Sequence, residues 1–152
     1  PALAKQDVDW VTGACMLVRR SALDQVGLFD EGFFMYSEEL DLCKRLREAG
    51  WRIVHLPRAN VIHYEGRSSA QVTERRQVLF DTSKVRYFRK HMGAFRGEVL
   101  RTALLSGYAI QWVLEASKWL VGHKRSVREA RMRTYRAVMR TGLRHTKSKG
   151  VA

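Results

Sequence analysis

The fold class the sequence predicts is an α/β layer continued by an all-helical extension, and three observations carry it. The first 70 residues mix short apolar, extended-type runs with two helical patterns. From residue 72 onward the period is helical throughout. The charge divides near the same place: residues 1–66 hold eight Lys/Arg against ten Asp/Glu, a net of −2, whereas 67–152 hold twenty against five, a net of +15. At 152 residues the chain suffices for one ordinary domain with its own core and is short for two. It starts at Pro1 without an initiator Met and opens on an apolar run that wants sheet neighbours, which predicts a piece of a longer chain.

The elements follow in order. Residues 13–18 (GACMLV) form a nearly continuous apolar run, the pattern of a strand buried on both faces. Ser21 then caps a short helix that ends at Gly27. Residues 28–36 set Gly32 among Phe29, Phe33, Phe34, Met35 and Tyr36, too aromatic for a solvated loop and too irregular for a helix; a loop packed over the core is expected. Ser37 offers an N-cap, Glu38 and Glu39 fall in the first turn where the helix dipole favours acids, and the helix runs to Gly50. Residues 51–57 (WRIVHLP) alternate as a strand stopped by proline, and 59–63 read as a second extended piece. So few strands cannot cover both faces of a sheet, which leaves the sheet incomplete. A first long helix then carries Val78, Val85, Phe88 and Met92 on one stripe, Gly93 and Gly97 mark a break, a second spans about 98–121, and a third follows Gly122 and His123 to about 143.

Chemistry gathers between Asp30 and Asp41, where five of twelve residues are carboxylates: Asp30, Glu31, Glu38, Glu39 and Asp41. Helix capping with a solvated face is one reading. Glu39, however, shares its face with Leu42, Cys43 and Leu46, three, four and seven residues on, so an acid heads the apolar stripe and is placed to act as a general base. Asp41 is expected to pair outward with Arg45, and Lys44 with Glu48. His63 ends an apolar step and precedes a polar loop; it is either structural or a ligand for Mg²⁺ or Mn²⁺. Cys15 and Cys43 lack metal or disulfide spacing and read as two buried thiols in a reducing compartment.

Taken together, WVTGA at 10–14, VGLFDE at 26–31, FFMYSEELDLC at 33–43, Arg45, Gly50, Pro57 and VIH at 61–63 resemble the second half of the family-two glycosyltransferases, in the bacterial rhamnosyltransferase-like branch. The resemblance covers roughly residues 8–69. It implies a nucleotide-diphospho-sugar transferase (GT-A) fold, here partial: residues 1–70 are the acceptor side of the catalytic domain, without the N-terminal nucleotide-binding half and its DxD metal motif, and 71–152 are a helical extension. Asp7-Val8-Asp9 has the DxD letters but precedes the WVTGA run directly and is a chance match. The resemblance makes Glu39 the catalytic base, where the family more often has Asp, and gives Trp10, Gly13, Ala14, Glu38 and Asp41 to the acceptor. His63 takes the metal, Mg²⁺ or Mn²⁺, and Arg67 and Ser68 the donor diphosphate. The implied activity is inverting, metal-dependent transfer of a sugar from a nucleotide-diphospho-sugar such as dTDP-rhamnose to a glycan or lipid-linked acceptor in cell-surface polysaccharide synthesis; these 152 residues alone are expected to be inactive.

The basic part points to phosphate, of nucleic acid or of an anionic membrane. Residues 102–114 carry no charge, but thirteen residues fall short of the ~20 that span a bilayer. Tyr108, Trp112 and Trp119 lie near one stripe, with Gln111, Glu115 and Lys118 on another, so this helix either lies in a membrane interface or packs on protein. The next helix sets Arg133, Arg136, Arg140 and Arg144 against a face of Met132, Tyr135, Val138, Met139 and Leu143. A cytoplasmic enzyme, peripheral on the inner face of the plasma membrane, is expected. The alternatives are a basic nucleic-acid- or membrane-binding module and a structural domain, both without catalysis. No helix-turn-helix or zinc pattern appears, and no nucleic-acid partner is expected.

Overall fold

The computed structural model describes residues 4–63, 73–122 and 124–144. The chain forms two compact units, residues 1–65 and 66–152.

In the first unit, strand β1 (Gln6–Asp7) pairs antiparallel with β2 (Val54–His55), in the register Gln6 to His55 and Asp7 to Val54. The Val8 N–H continues the ladder to the Ile53 carbonyl at 3.0 Å, and the Arg52 guanidinium grips both Asp7 oxygens at 3.0 and 2.8 Å. Helices α1 (Arg20–Val26) and α2 (Glu38–Glu48) bury Ala22, Leu42 and Leu46, and Met16, Val18, Leu23, Val26, Trp51 and Ile53 pack around them. The indole N–H of Trp51 donates to Gln25 Oε1 at 2.8 Å, which ties the chain after α2 to α1. α2 closes through Gly50, whose φ of 87° lets the Trp51 N–H reach back to the Leu46 carbonyl at 2.9 Å.

Several expectations are corrected here. Residues 13–18 form no strand: 13–15 make a turn and a bend, and only over 16–18 do side chains alternate, with Met16 and Val18 on the core and Leu17 fully exposed. Of 51–57 only Val54 and His55 form strand, with Ile53 adding one bond to Val8, and 59–63 form no strand. In the aromatic segment Phe33 alone is buried, held by a turn in which Asp30 Oδ1 accepts from the Gly32 N–H at 2.8 Å, while Phe29 and Phe34 stay exposed. Cys43 is buried but Cys15 is exposed.

The second unit packs α3 (Thr73–Met92), α4 (Ala94–Leu120) and α5 (Arg125–Thr141) against one another around Val85, Val138 and Leu143. Gly93, at φ 93°, makes the corner between α3 and α4. Gly97 does not break α4 as expected. It is buried inside the helix, where a Cβ would lie 2.0 Å from Arg89 Cγ and 3.1 Å from Arg89 Cα, so glycine permits the close crossing. Arg101 donates to the Gly142 carbonyl at 2.9 Å and so ties the end of α5 to α4. No helix among the described residues is long and apolar enough to cross a membrane.

Of the two readings of α4, its aromatic residues follow the packed one, against α5 of the same unit. Tyr108, Trp112 and Trp119 are partly buried, with Arg136 stacked 5.5 Å over the Trp112 ring and Arg125 5.1 Å over Trp119. Glu115 is buried, its oxygens held by Arg128 at 2.6 Å and Arg131 at 3.2 Å. Burial alone would raise its pKa, but the two guanidiniums outweigh that and hold the carboxyl below its ordinary value. The exposed stripe of α4 is instead Phe95, Val99, Ile110, Val113 and Leu120.

Candidate active site

The first turn of α2 is the chemical centre of the first unit. Ser37 stands at the N-cap position but gives no side-chain cap: its φ is 66°, and Tyr36 before it has φ 69°. Two successive left-handed residues with side chains cost on the order of 1–3 kcal/mol each, a strain that collects at functional sites. The corner sets Glu38 and Glu39 side by side at the positive end of the helix dipole. Each carboxylate keeps one oxygen, Oε2, buried without a hydrogen bond. Leaving such a group without water or another partner costs about 1–3 kcal/mol. Burial pushes the Glu38 carboxyl up, a hydrogen bond from its own backbone N–H opposes this, and the adjacent charge of Glu39 adds to the rise.

The segment carrying WVTGA lies against this turn. The Val11 backbone N–H meets the Cys43 sulfur, and a Cβ built on Gly13 would stand 3.8 Å from Glu39 Cβ, in ordinary contact. Burial, foremost, and the Glu39 charge push the Cys43 thiol up, so it stays a neutral, inert packing group. Gly13 thus forms one wall beside Glu39, with Ala14 and the half-exposed Trp10 next to it in the chain.

Asp41 does not face outward. Its side chain is wholly buried, and Arg45 donates to its Oδ2 at 2.8 Å, to the Val26 carbonyl at 2.6 Å and to the Leu28 carbonyl at 2.7 Å. The pair clamps the end of α1 to α2. Arg45 is the residue whose importance the sequence understated; its signal was the four-residue spacing to Asp41, and the missing information was which way that pair turns. Asp7 and Asp9 are engaged by Arg52 and Arg47. His63 is exposed, and no group of three or more His, Cys, Asp or Glu among the described residues could hold a metal ion. Arg67 and Ser68 lie outside the described residues.

The turn sets paired carboxylates beside Gly13 on a mixed α/β unit, and carboxylates are among the residue types that general acid–base chemistry uses. The particular family follows from comparison. Residues 2–78 match the glycosyltransferase like family 2, and the chain belongs to that family. It is 48% identical over 68 residues to the N-acetylglucosaminyl-diphospho-decaprenol L-rhamnosyltransferase of Mycobacterium tuberculosis, a stretch covering 45% of this chain and 22% of the relative. It is 51% identical over 57 residues to rhamnosyltransferase WbbL of Escherichia coli, covering 38% and 22%, and 32% identical over 74 residues to the low-salt glycan biosynthesis hexosyltransferase Agl10 of Haloferax volcanii, covering 49% and 24%. The chain thus matches less than a quarter of the length of each. No solved structure gives a significant match. These relatives bear out the rhamnosyltransferase-like resemblance of the motifs.

Proposed function

We propose that the chain is the acceptor side of an inverting glycosyltransferase, with Glu39 as its catalytic base. The observation that carries this is the half-buried Glu39 carboxylate, one oxygen without a hydrogen bond, at the strained start of α2 and beside Gly13. An acceptor hydroxyl entering along that wall would satisfy the oxygen. Glu39 takes its proton as the hydroxyl oxygen bonds to the anomeric carbon of a nucleotide-diphospho-sugar; the bond from that carbon to the diphosphate oxygen breaks, its electron pair leaves with the diphosphate, and the configuration inverts. Glu38, whose ionisation burial opposes, holds the acceptor, with Trp10 and Ala14 lining its approach. Asp41 acts through Arg45 as a positioning residue rather than an acceptor contact. Arg67 and Ser68 are the groups proposed for the diphosphate.

A Mg²⁺ or Mn²⁺ ion would neutralise that leaving group. One exposed imidazole, His63, does not make a metal site by itself, so the donor set in this chain does not fit the ion alone and no step here runs through it. Residues 1–70 are read as the second half of a GT-A domain and 71–152 as its helical extension; the two-residue strands and the exposed Leu17, Phe34 and Ile62 support a sheet completed by further residues. The donor is read as dTDP-rhamnose and the acceptor as lipid-linked, after the names of the relatives matched. The charge-free exposed stripe of α4 and the exposed arginines of α5 support contact with the anionic inner face of the plasma membrane.

The test is Glu39→Gln in the complete enzyme. Turnover is expected to fall by about 10²–10⁴-fold with donor affinity kept, because the base is lost and the shape is not. Glu39→Asp retains measurable turnover. Near-wild-type rates in folded Glu39→Gln would place the base elsewhere.

A further inference from the structure

The helical unit holds a groove of about 390 Å³, inside the range of about 300–1,000 Å³ usual for small-molecule sites. Gln77 of α3, Gly107, Tyr108 and Gln111 of α4, and Thr134 and Tyr135 of α5 are among its walls. None of the residues lining it carries a charge, although the sequence from residue 67 on holds twenty Lys/Arg against five Asp/Glu. An anion bound there would find no counter-charge on the walls, so the groove suits a neutral ligand.

The protons of the groove narrow the ligand further. The Tyr108 hydroxyl donates to Asp81 Oδ2 at 2.6 Å, and Asp81, 1% exposed, also accepts from Gln77 at 2.9 Å and pairs with Lys84 at 3.6 Å. The Thr134 hydroxyl donates to the Ala130 carbonyl at 3.2 Å. Both hydroxyl hydrogens are therefore directed to protein acceptors, and because the Gln77 amide also reaches the Tyr108 oxygen, the lone pairs offered to a ligand are chiefly those of Thr134. The ligand must bring the donors. Gln111, exposed on the rim, adds an amide that both donates and accepts. The Tyr108 and Tyr135 rings stand 5.5 Å apart at 46°, a stiff aromatic wall for the C–H face of a ring. A Cβ on Gly107 would meet nothing within 4 Å, so the α4 backbone lies open to the groove.

We propose that this groove binds a neutral, hydroxyl-rich saccharide. That such a ligand is part of the acceptor glycan rests on the transferase reading above; the binding itself does not. The 152-residue chain is titrated by ¹H–¹⁵N NMR with methyl α-L-rhamnoside and with N,N′-diacetylchitobiose as neutral probes, inorganic pyrophosphate as the anionic probe and farnesol as the apolar one. At least one saccharide is expected to shift the amides of Gly107, Gln111 and Thr134 saturably, and pyrophosphate and farnesol to leave them unmoved. Gly107→Leu fills the groove and is expected to weaken binding by roughly tenfold or more, a change of about 1.4 kcal/mol. Gly107→Ala, which suits a helix interior better than glycine, is the folded control with a smaller loss. Absence of a saturable shift with both saccharides, unchanged affinity in folded Gly107→Leu, or the same amides answering to pyrophosphate or farnesol instead would overturn the proposal. Glu39→Gln should bind the saccharide as the parent does, so loss of turnover with intact groove binding, or the reverse, shows which of the two readings has failed.

Discussion

Removing Arg45 tests whether the first unit depends on its buried clamp. The Asp41 side chain is 0% exposed and that of Arg45 18%, and the guanidinium bonds four groups: the Asp41 carboxylate and the carbonyls of Val26, Gly27 and Leu28. Arg45→Met keeps the length of the stem and leaves Asp41 buried without its counter-charge. Breaking a buried pair from one side typically costs about 3–5 kcal/mol. The lower end applies here, because Arg45 reaches solvent and water can replace part of what it gives. At 1.36 kcal/mol per decade, 3 kcal/mol is about a hundredfold. Hydrogen exchange followed by mass spectrometry reads this locally: amides of α2 in the variant should exchange about 10²-fold faster, while those of α5 keep their rates. Asp41→Leu combined with Arg45→Met removes both charges and should recover roughly tenfold of that loss, since an apolar pair of similar volume often replaces a buried ion pair at little cost. An acceleration below about threefold in Arg45→Met would refute the reasoning and make the pair an ornament of an already stable corner.

Three further outcomes are expected. The raised pKa of Glu38 means the folded unit holds that proton more tightly than the unfolded chain, so the contribution of Glu38 to stability is present at low pH and is lost as pH rises through the folded value; Glu38→Gln should stabilise the first unit at pH 7 and change little at pH 3, read by urea titration at the two pH values. Two glycines of α4 should respond oppositely to alanine: Gly97→Ala, whose Cβ would press on Arg89, should cost about 1–3 kcal/mol, and Gly107→Ala, which is open, should add up to about 1 kcal/mol, by circular-dichroism melting of the α-helical signal. Ile110→Asp with Val113→Asp should release the complete enzyme from anionic vesicles if the exposed stripe of α4 touches lipid; binding that survives the change would place the stripe against protein, and retention of DNA at the same salt would favour nucleic acid.

The helices were legible because each long one must turn an apolar stripe to its neighbours, and that stripe recurs every three to four residues whatever the partner is. α2 closed at the expected Gly50, two residues past its last helical residue Glu48, and α4 began four residues early because Gly97 serves packing rather than a break. The strands were not legible in the same way. An apolar run such as 13–18 states which side chains avoid water, and Met16 and Val18 do; whether it becomes a strand depends on a neighbour to accept its backbone bonds, which local sequence does not encode. At the candidate site the spacing of Glu39 to Leu42, Cys43 and Leu46 anticipated its half-buried position. The left-handed corner at Tyr36 and Ser37 could not be anticipated, since neither residue favours that conformation.

The same distinction explains why the sequence left both a membrane interface and packing on protein open for α4. Its central residues are uncharged on every side, so hydropathy alone does not say which stripe meets lipid and which meets protein. Tyr108, Trp112 and Trp119 carry polar hydrogens as well as rings, and such groups suit a protein neighbour as well as a membrane interface. The decision falls to the partners: Asp81 takes the Tyr108 hydroxyl, Glu129 accepts from the Trp119 indole at 3.0 Å, and Arg136 covers Trp112. Glu115 then follows them inward, because Arg128 and Arg131 supply more favourable charge than water would. What remains outside is the stripe of Phe95, Val99, Ile110, Val113 and Leu120, whose side chains have no polar hydrogens for a protein neighbour to capture.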